Sequence, residues 1–135
     1  MIGYVTVGSN DLELSEQFYS AFLLSLGYIL EVSSEGLSYS LPVNNGQEFA
    51  DFYVKPPHNG QTASVGNGTM VAFQVRTQAQ VRTLHEAALA AGGRNEGAPG
   101  FRAEYSAHFY VGYLRDPQGN KIALFCNSRD EPKRP

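Results

Sequence analysis

The chain has 135 residues, of which 42% are hydrophobic and 17% are charged. This length fits one domain, and this composition can supply a normal core, which excludes global disorder. The net charge is -3, the isoelectric point is about 5.5, and the sequence has no cluster of Lys or Arg, so we expect no nucleic-acid partner.

The sequence also argues against a membrane partner and an oxidising compartment. No apolar run approaches the length of a membrane-spanning helix, and the first residues lack the basic flank and apolar run of a signal peptide. Cys126 is the only cysteine and cannot form a disulfide within the chain. We therefore expect a cytoplasmic protein. The charged residues 129–134 predict a frayed, solvated tail.

The first half of the chain predicts the order β-α-β-β-β. A helix is predicted over residues 12–26, with Asn10 or Asp11 as its cap and Gly27 at its end. The predicted strands alternate apolar and polar residues and cover 2–7, 28–32, 37–41 and 49–54. These elements define a predicted first module over residues 1–54.

The second half repeats the pattern after a long irregular segment. Residues 55–69 are rich in Pro, Gly and Asn, and they predict a linker, a lid or a binding loop. A second helix is predicted from Thr77 to Gly92. The predicted strands cover residues 70–75, 94–97, 101–105, 108–114 and 121–127. We therefore predict a second module over residues 70–127, followed by a tail over 128–135.

Four segments carry a resemblance to a known superfamily. They are VTVGSNDLELSEQFYSAFLLSLGY, GNGTMVAFQV, LHEAALAAGGRNEGAPG and YVGYLRDPQGNKIALF. In this order they resemble the vicinal-oxygen-chelate superfamily, which includes glyoxalase I, bleomycin-resistance proteins and extradiol dioxygenases. The resemblance implies an α+β fold in which two βαβββ modules form a cupped, incompletely closed mixed β-barrel around a cavity, with the helices outside. It also implies a homodimer.

The residues that bind metal in this superfamily are absent here. Metal-bearing members place a His on the first strand, a His on the first strand of module two and a Glu on the last strand. The matching positions are Tyr4, Met70 and Ala123. A neutral phenol, a thioether and a methyl group do not supply the imidazole and carboxylate ligands of a divalent ion. We therefore expect no metal and no cofactor, and a cavity still lined by these three residues.

Two further pairs of residues are candidates for ligand contacts. Alternation along residues 49–54 predicts that Asp51 and Tyr53 face the cavity, where Asp51 can act as a general base or bind a cation. A solvated carboxylate on an edge strand fits the same pattern equally well. His108 and Tyr110 share one face of a predicted strand and can orient a ligand there. The alternative, that His108 is simply a partly exposed residue at the end of the strand, fits the sequence slightly better.

The last quarter of the chain is rich in aromatic residues that can stack on a flat ligand or fill the core and a dimer interface. These residues are Phe101, Tyr105, Tyr110, Tyr113 and Phe125. Arg102 can pair with an anionic ligand, or it can simply be an exposed arginine. The acidic isoelectric point, by contrast, is consistent with a cationic ligand.

Three functions fit these observations. The first is a metal-free protein that binds a small molecule in its cavity, as bleomycin-resistance proteins do. The second is a lyase, isomerase or dioxygenase of the glyoxalase type with displaced metal ligands, or with acid–base chemistry by Asp51, Tyr4 or His108. The third is a structural or regulatory dimer with a filled cavity.

Overall fold

The computed structural model describes residues 1–44 and 46–135, which form two four-stranded sheets and two α-helices. The first set of elements is β1 (Val5–Gly8), α1 (Leu12–Leu23), β2 (Ile29–Ser33), β3 (Gly36–Ser40) and β4 (Phe52–Lys55). The second set is β5 (Met70–Gln74), α2 (Gln78–Ala90), β6 (Arg94–Phe101), β7 (Tyr110–Arg115) and β8 (Lys121–Cys126). The predicted α+β fold of two βαβββ modules is confirmed. Neither helix is long and apolar enough to cross a membrane.

The two sheets have the same topology. In the first sheet β1 pairs in parallel with β4, and β4, β3 and β2 follow as antiparallel neighbours. In the second sheet β5 pairs in parallel with β8, and β8, β7 and β6 follow in the same way. Both sheets are therefore mixed, and β1 and β5 are edge strands. The sheets are not closed onto each other.

The prediction of a separate strand over residues 101–105 is wrong. Instead, β6 runs without interruption to Phe101, and residues 102–109 form turns and irregular chain. The pairing of β6 with β7 shifts register near Gly97 and again before Gly100. Pro99 lies in this stretch, and Gly and Pro inside a strand are typical of bulges. The interrupted pattern in the sequence is therefore a bulged strand and not two separate strands.

One hydrophobic core joins the two modules. It contains alternate residues of β3, β4 and β8, as expected from the two-residue period of a strand. The ring of Phe73 on β5 lies 5.7 Å from the ring of Phe22 on α1 and 5.3 Å from the ring of Phe52 on β4. Because all three are members of the same buried cluster, the helix sides of both sheets meet in this core. The opposite faces of the sheets point away from it.

The turn between β7 and β8 attaches the second module to α1. The Asp116 carboxylate is fully buried. It accepts backbone N–H groups from Gln118, Gly119 and Asn120 at 2.8–2.9 Å, and the Asn120 side chain at 2.9 Å. The Tyr19 hydroxyl on α1 donates to it at 2.6 Å. A buried carboxylate is tolerated only when such donors replace its water.

The same turn also holds the end of β1 and the long segment between the modules. The Asn120 side chain donates to the Gly8 carbonyl at 2.9 Å. The Gln118 side chain accepts the Asn10 N–H at 2.9 Å and donates to the Ala63 carbonyl at 3.2 Å. The Asn10 side chain in turn accepts the Ala63 N–H at 2.7 Å. The turn is therefore the point where four segments of the chain are joined.

Two buried tyrosines resist ionisation. Burial, and then the charge of Asp116, raise the pKa of Tyr19 well above its ordinary value. Burial also raises the pKa of Tyr39 to about 12. The Tyr19 phenol therefore stays protonated at neutral pH and remains a donor to Asp116.

Replacing Tyr19 with Phe tests the bond between the modules. A hydrogen bond to a charged acceptor contributes about 1.5–3 kcal/mol, and its loss leaves a buried carboxylate with one donor fewer. We expect the Tyr19→Phe variant to lose roughly this amount of unfolding free energy in a urea titration.

Tyr105→Phe is the matched control, because the Tyr105 side chain is 51% exposed. Its hydroxyl has no hydrogen-bond partner in the described part of the chain. Its effect should stay within about 0.5 kcal/mol. Equal effects of the two substitutions would show that the Tyr19 bond contributes nothing.

Candidate functional site

The face of the second sheet that points away from the core is a grid of nine residues, which we call the second open face. Its rows follow from the pairing of β5 with β8 and of β8 with β7. The rows are Met70–Lys121–Arg115, Ala72–Ala123–Tyr113 and Gln74–Phe125–Val111. The middle row is small on two strands and aromatic on the third. Of its two alanines only Ala72 is exposed, whereas Ala123, which was expected to line a cavity, is buried among its neighbours.

Two cations lie over the ring of Tyr113. The Lys121 ammonium nitrogen is 5.1 Å from the ring centroid, and the guanidinium carbon of Arg102 is 5.4 Å from it. Both distances are within the range of a cation–π contact. Burial is the main cause that raises the pKa of the Tyr113 phenol, Tyr105 and Glu104 raise it further, and Arg102 acts in the opposite direction. The phenol is therefore a neutral hydrogen-bonding group on this face.

The loop over residues 102–109 packs against the second open face. The Phe109 ring lies 5.5 Å from the Phe125 ring, and the Tyr105 ring lies 5.2 Å from the Phe109 ring. Arg102 is the first residue of this loop, and its guanidinium donates to the Ala98 carbonyl at 2.8 Å. The loop thus brings both aromatic and cationic groups to the face.

The C-terminal tail holds this loop, contrary to the prediction that it is frayed. The Arg134 guanidinium donates to the carbonyls of Arg102, Ala103 and Tyr105 at 2.9–3.3 Å. The Arg134 N–H donates to the Ala107 carbonyl at 2.7 Å. These partners are more than 25 residues distant in the chain, so the sequence pattern of the tail alone gave no sign of them.

The corresponding face of the first sheet carries exposed aromatic residues. Tyr4 is 51% exposed, and its ring stacks on Phe49 at 5.5 Å and meets the edge of Tyr53 at 5.4 Å. The Lys55 ammonium lies 5.0 Å from the Tyr53 ring centroid. At the end of this face an open groove of about 530 Å³ includes Lys55 and His58 in its lining. Tyr53 therefore lies on the face opposite to the core, since its neighbours Phe52 and Val54 belong to the core.

Asp51 is not a free carboxylate on this face. It precedes β4, which begins at Phe52. Its two oxygens accept the Leu41 N–H at 2.8 Å and the Asn44 side-chain amide at 2.7 Å. Burial first, and then the charge of Asp51, raise the pKa of Tyr28. The carboxylate therefore stabilises the turn after β3, a role that neither sequence alternative included.

Tyr110 and His108 do not lie beside Ala123. Tyr110 is on the core side of β7, where its hydroxyl accepts a hydrogen bond from Arg82 of α2 at 3.2 Å. Because β7 begins at Tyr110, His108 lies in a turn outside the strand. The His108 Nδ1 atom is buried without a hydrogen-bond partner among the described residues. The alternation that linked these two residues in the sequence does not extend to His108.

His85 of α2 is buried against β7. Its Nε2 atom lies 3.0 Å from the Tyr113 carbonyl. A Cβ atom at Gly112 would lie only 2.8 Å from the His85 ring, so this close contact requires glycine. His85 therefore positions the strand that carries Tyr113. In the sequence, the glycine at position 112 is the only sign of this close contact.

The residues at the three superfamily metal positions do not fit a divalent metal. Tyr4 lies one residue before β1, and Met70 and Ala123 are on the second open face. None of them offers an imidazole or a carboxylate. Among residues 1–44 and 46–135, no group of three His, Cys, Asp or Glu side chains is arranged to hold a metal ion.

The fold agrees with known structures. No protein-family model and no curated protein sequence matches the chain. The chain is similar to the crystal structure of a glyoxalase/bleomycin resistance protein from Albidiferax ferrireducens T118. Their identity is 37% over 95% of this chain and 99% of that chain, with a TM-score of 0.80. It is also similar to a glyoxalase-related enzyme from Fulvimarina pelagi, at 25% identity over 94% and 88% of the two chains, with a TM-score of 0.71.

The fosfomycin resistance protein FosX from Listeria monocytogenes has the same fold. Its identity is 13% over 96% of this chain and 95% of that chain, with a TM-score of 0.66. The chain therefore belongs to the glyoxalase/bleomycin resistance protein family. The neighbours confirm the resemblance to the vicinal-oxygen-chelate superfamily.

Replacing Arg134 with Ala tests whether the tail holds the loop. The variant loses the side-chain bonds to three loop carbonyls. We expect faster amide hydrogen exchange in residues 102–109, with the exchange of β5 and β8 unchanged. Lys133→Ala is the control, since Lys133 is exposed and adjacent. Unchanged exchange of the loop in Arg134→Ala would contradict this role.

Proposed function

We propose that this protein binds a small molecule on its open sheet faces and uses no divalent metal for binding. One observation carries the proposal. Tyr4, Met70 and Ala123 occupy the metal positions, while aromatic and cationic side chains surround the two positions on the second open face. A concave site with apolar walls and a few polar groups is the usual form of a ligand site.

Binding without chemistry is the form of this function that we favour. The structures similar to this chain include proteins named for bleomycin resistance and for fosfomycin resistance. Of the candidate acid–base groups, the Asp51 carboxylate is already engaged by two donors. A lyase, isomerase or dioxygenase of the glyoxalase type is the alternative, since a glyoxalase-related enzyme is also among the similar structures.

We further propose that the protein is a homodimer that encloses the ligand between two chains. In one chain the open faces point away from a shared core, so a ligand on either face remains exposed to water. Tyr4, Phe49 and Met70 are 51%, 54% and 43% exposed. Edge strands and exposed apolar residues of this kind are typical of association surfaces.

Sedimentation velocity tests the dimer. We expect a species of twice the 14.7 kDa chain mass at micromolar concentrations. A protein that remains monomeric up to about 100 µM, a concentration at which any stable interface is populated, would contradict the shared cavity.

Metal analysis combined with a thermal-shift screen tests the binding function. We expect substoichiometric metal by elemental analysis and no change of Tm after EDTA treatment. We also expect at least one metabolite or antibiotic to raise Tm in the presence of EDTA, because ligands that bind only the folded state stabilise it. A stoichiometric divalent metal would overturn the proposal and favour the enzyme.

Ala72→Glu and Ala79→Glu form a matched pair for this screen. Ala72 is exposed on the second open face, and Ala79 is exposed on α2. A ligand of the open face should lose its stabilising effect in Ala72→Glu and keep it in Ala79→Glu. A compound that stabilises both variants equally binds outside the second open face. If every stabilising compound in the screen behaves in this way, the proposed location of the binding site is wrong.

A further inference from the structure

We infer that the ligand of the second open face is an anion with a flat or aromatic body. This inference depends on the proposed function, because it specifies the ligand class of the same site. It rests on the charges that surround Tyr113 and on the shape of the middle row of the grid, which are separate observations.

The position of Lys121 directs its charge onto the face. Lys121 is the first residue of β8 and lies between Met70 and Arg115 in the first row. Its ammonium nitrogen is near the Tyr113 ring in the adjacent row, 5.1 Å from the centroid. The side chain therefore extends over the face and does not point away from it.

The cations over Tyr113 have no carboxylate partner. Within the described residues, the only ion pair with a nitrogen–oxygen distance of 4.0 Å or less joins Arg115 to Glu96, at 3.1 Å. The Arg102 guanidinium donates to the carbonyls of Ala98 and Phe101, which are neutral acceptors. Two positive charges thus remain available beside one ring.

The acidic groups nearby do not cancel this field. Glu96 is paired with Arg115, whose hydrogen bond is the first cause that lowers its pKa, and the charges of Lys121 and Arg94 lower it further, so this one carboxylate lies among three cations. Glu104 is close enough to raise the pKa of Tyr113, but it forms no ion pair with Arg102 or Lys121 in the part of the chain that the structure describes. A local positive patch on a protein of net charge -3 attracts anions, since nearby charges outweigh distant ones in the field at a site.

The shape of the face favours a flat ligand body. Ala72 is the exposed small residue of the middle row, Ala123 is buried beside it, and the rings of Tyr113 and Phe125 are half-buried on the same face. An aromatic ring over Ala72 can contact the edge or face of Tyr113. A carboxylate or phosphoryl group on that ring then lies near the two cations. The acidic isoelectric point had suggested a cationic ligand, whereas the local charges favour an anion.

Three probes of the same shape and different charge test this inference. Benzoate, benzamide and benzamidine are anionic, neutral and cationic, and each is a ring with one planar substituent. Their affinities can be measured from amide chemical shifts of Tyr113, Lys121 and Ala123 in the ¹⁵N-labelled full chain. We expect benzoate to bind at least about tenfold more tightly than benzamide, and benzamidine to bind most weakly.

Lys121→Gln and Lys133→Gln are the matched variants. Each removes one positive charge, but Lys133 is exposed on the tail. We expect Lys121→Gln to weaken benzoate binding about tenfold and to leave benzamide binding unchanged, and Lys133→Gln to change neither. Added sodium chloride should weaken benzoate binding and not benzamide binding, which gives a second measurement on the unmodified protein.

The outcomes separate this inference from the proposed function. Equal binding of all three probes at these residues, or a preference for benzamidine, would overturn the anionic ligand and leave a small-molecule site. An equal loss of benzoate binding in both variants would also overturn it. If no probe binds at these residues, the inference fails, and the thermal-shift screen with the Ala72→Glu pair decides the proposed function independently.

Discussion

The buried Asp116 carboxylate is the interaction on which the rest of the structure depends. Its own turn supplies four donors, and Tyr19 supplies a fifth from the other module. Because a carboxylate without water needs nearly all of these donors, the turn and α1 are held in one arrangement. Asn120 extends the same network to β1. The relative position of the two sheets therefore follows from one polar cluster as well as from the shared aromatic core.

This arrangement determines which surfaces are open to the proposed ligand. Since the helix sides of both sheets share one core, the open faces of a single chain point outward, and Tyr4 lies beside the first sheet, before β1, whereas Met70 and Ala123 belong to the second sheet. Lining residues from two sheets converge on one ligand only if another chain brings the faces together. The proposed dimer and the proposed ligand site therefore depend on each other, and both follow from the fold of the single chain.

The second open face shows how a scaffold can keep its geometry with different chemistry. Ala123 stands in the grid where the superfamily resemblance implies a carboxylate, and Lys121 and Arg102 place positive charge around the Tyr113 ring. The loop that carries Arg102 is itself held by Arg134 of the C-terminal tail. The arrangement of charges on the face therefore depends on residues far from its centre.

The sequence by itself determined the two βαβββ modules, because the periodicity of helices and strands is local. The side chains at Tyr4, Met70 and Ala123 are also read directly from the sequence, and the superfamily resemblance identifies these residues as the metal positions. The partners of Asp51, the core-side position of Tyr110 and the burial of His85 were decided only by the tertiary structure. A strand that begins two or three residues later than predicted removes a side chain from the predicted face, as it did for His108 and Asp51. A hydrogen bond between residues 97 positions apart, such as that of Tyr19 with Asp116, leaves no periodic signal, because its geometry exists only after the chain has folded.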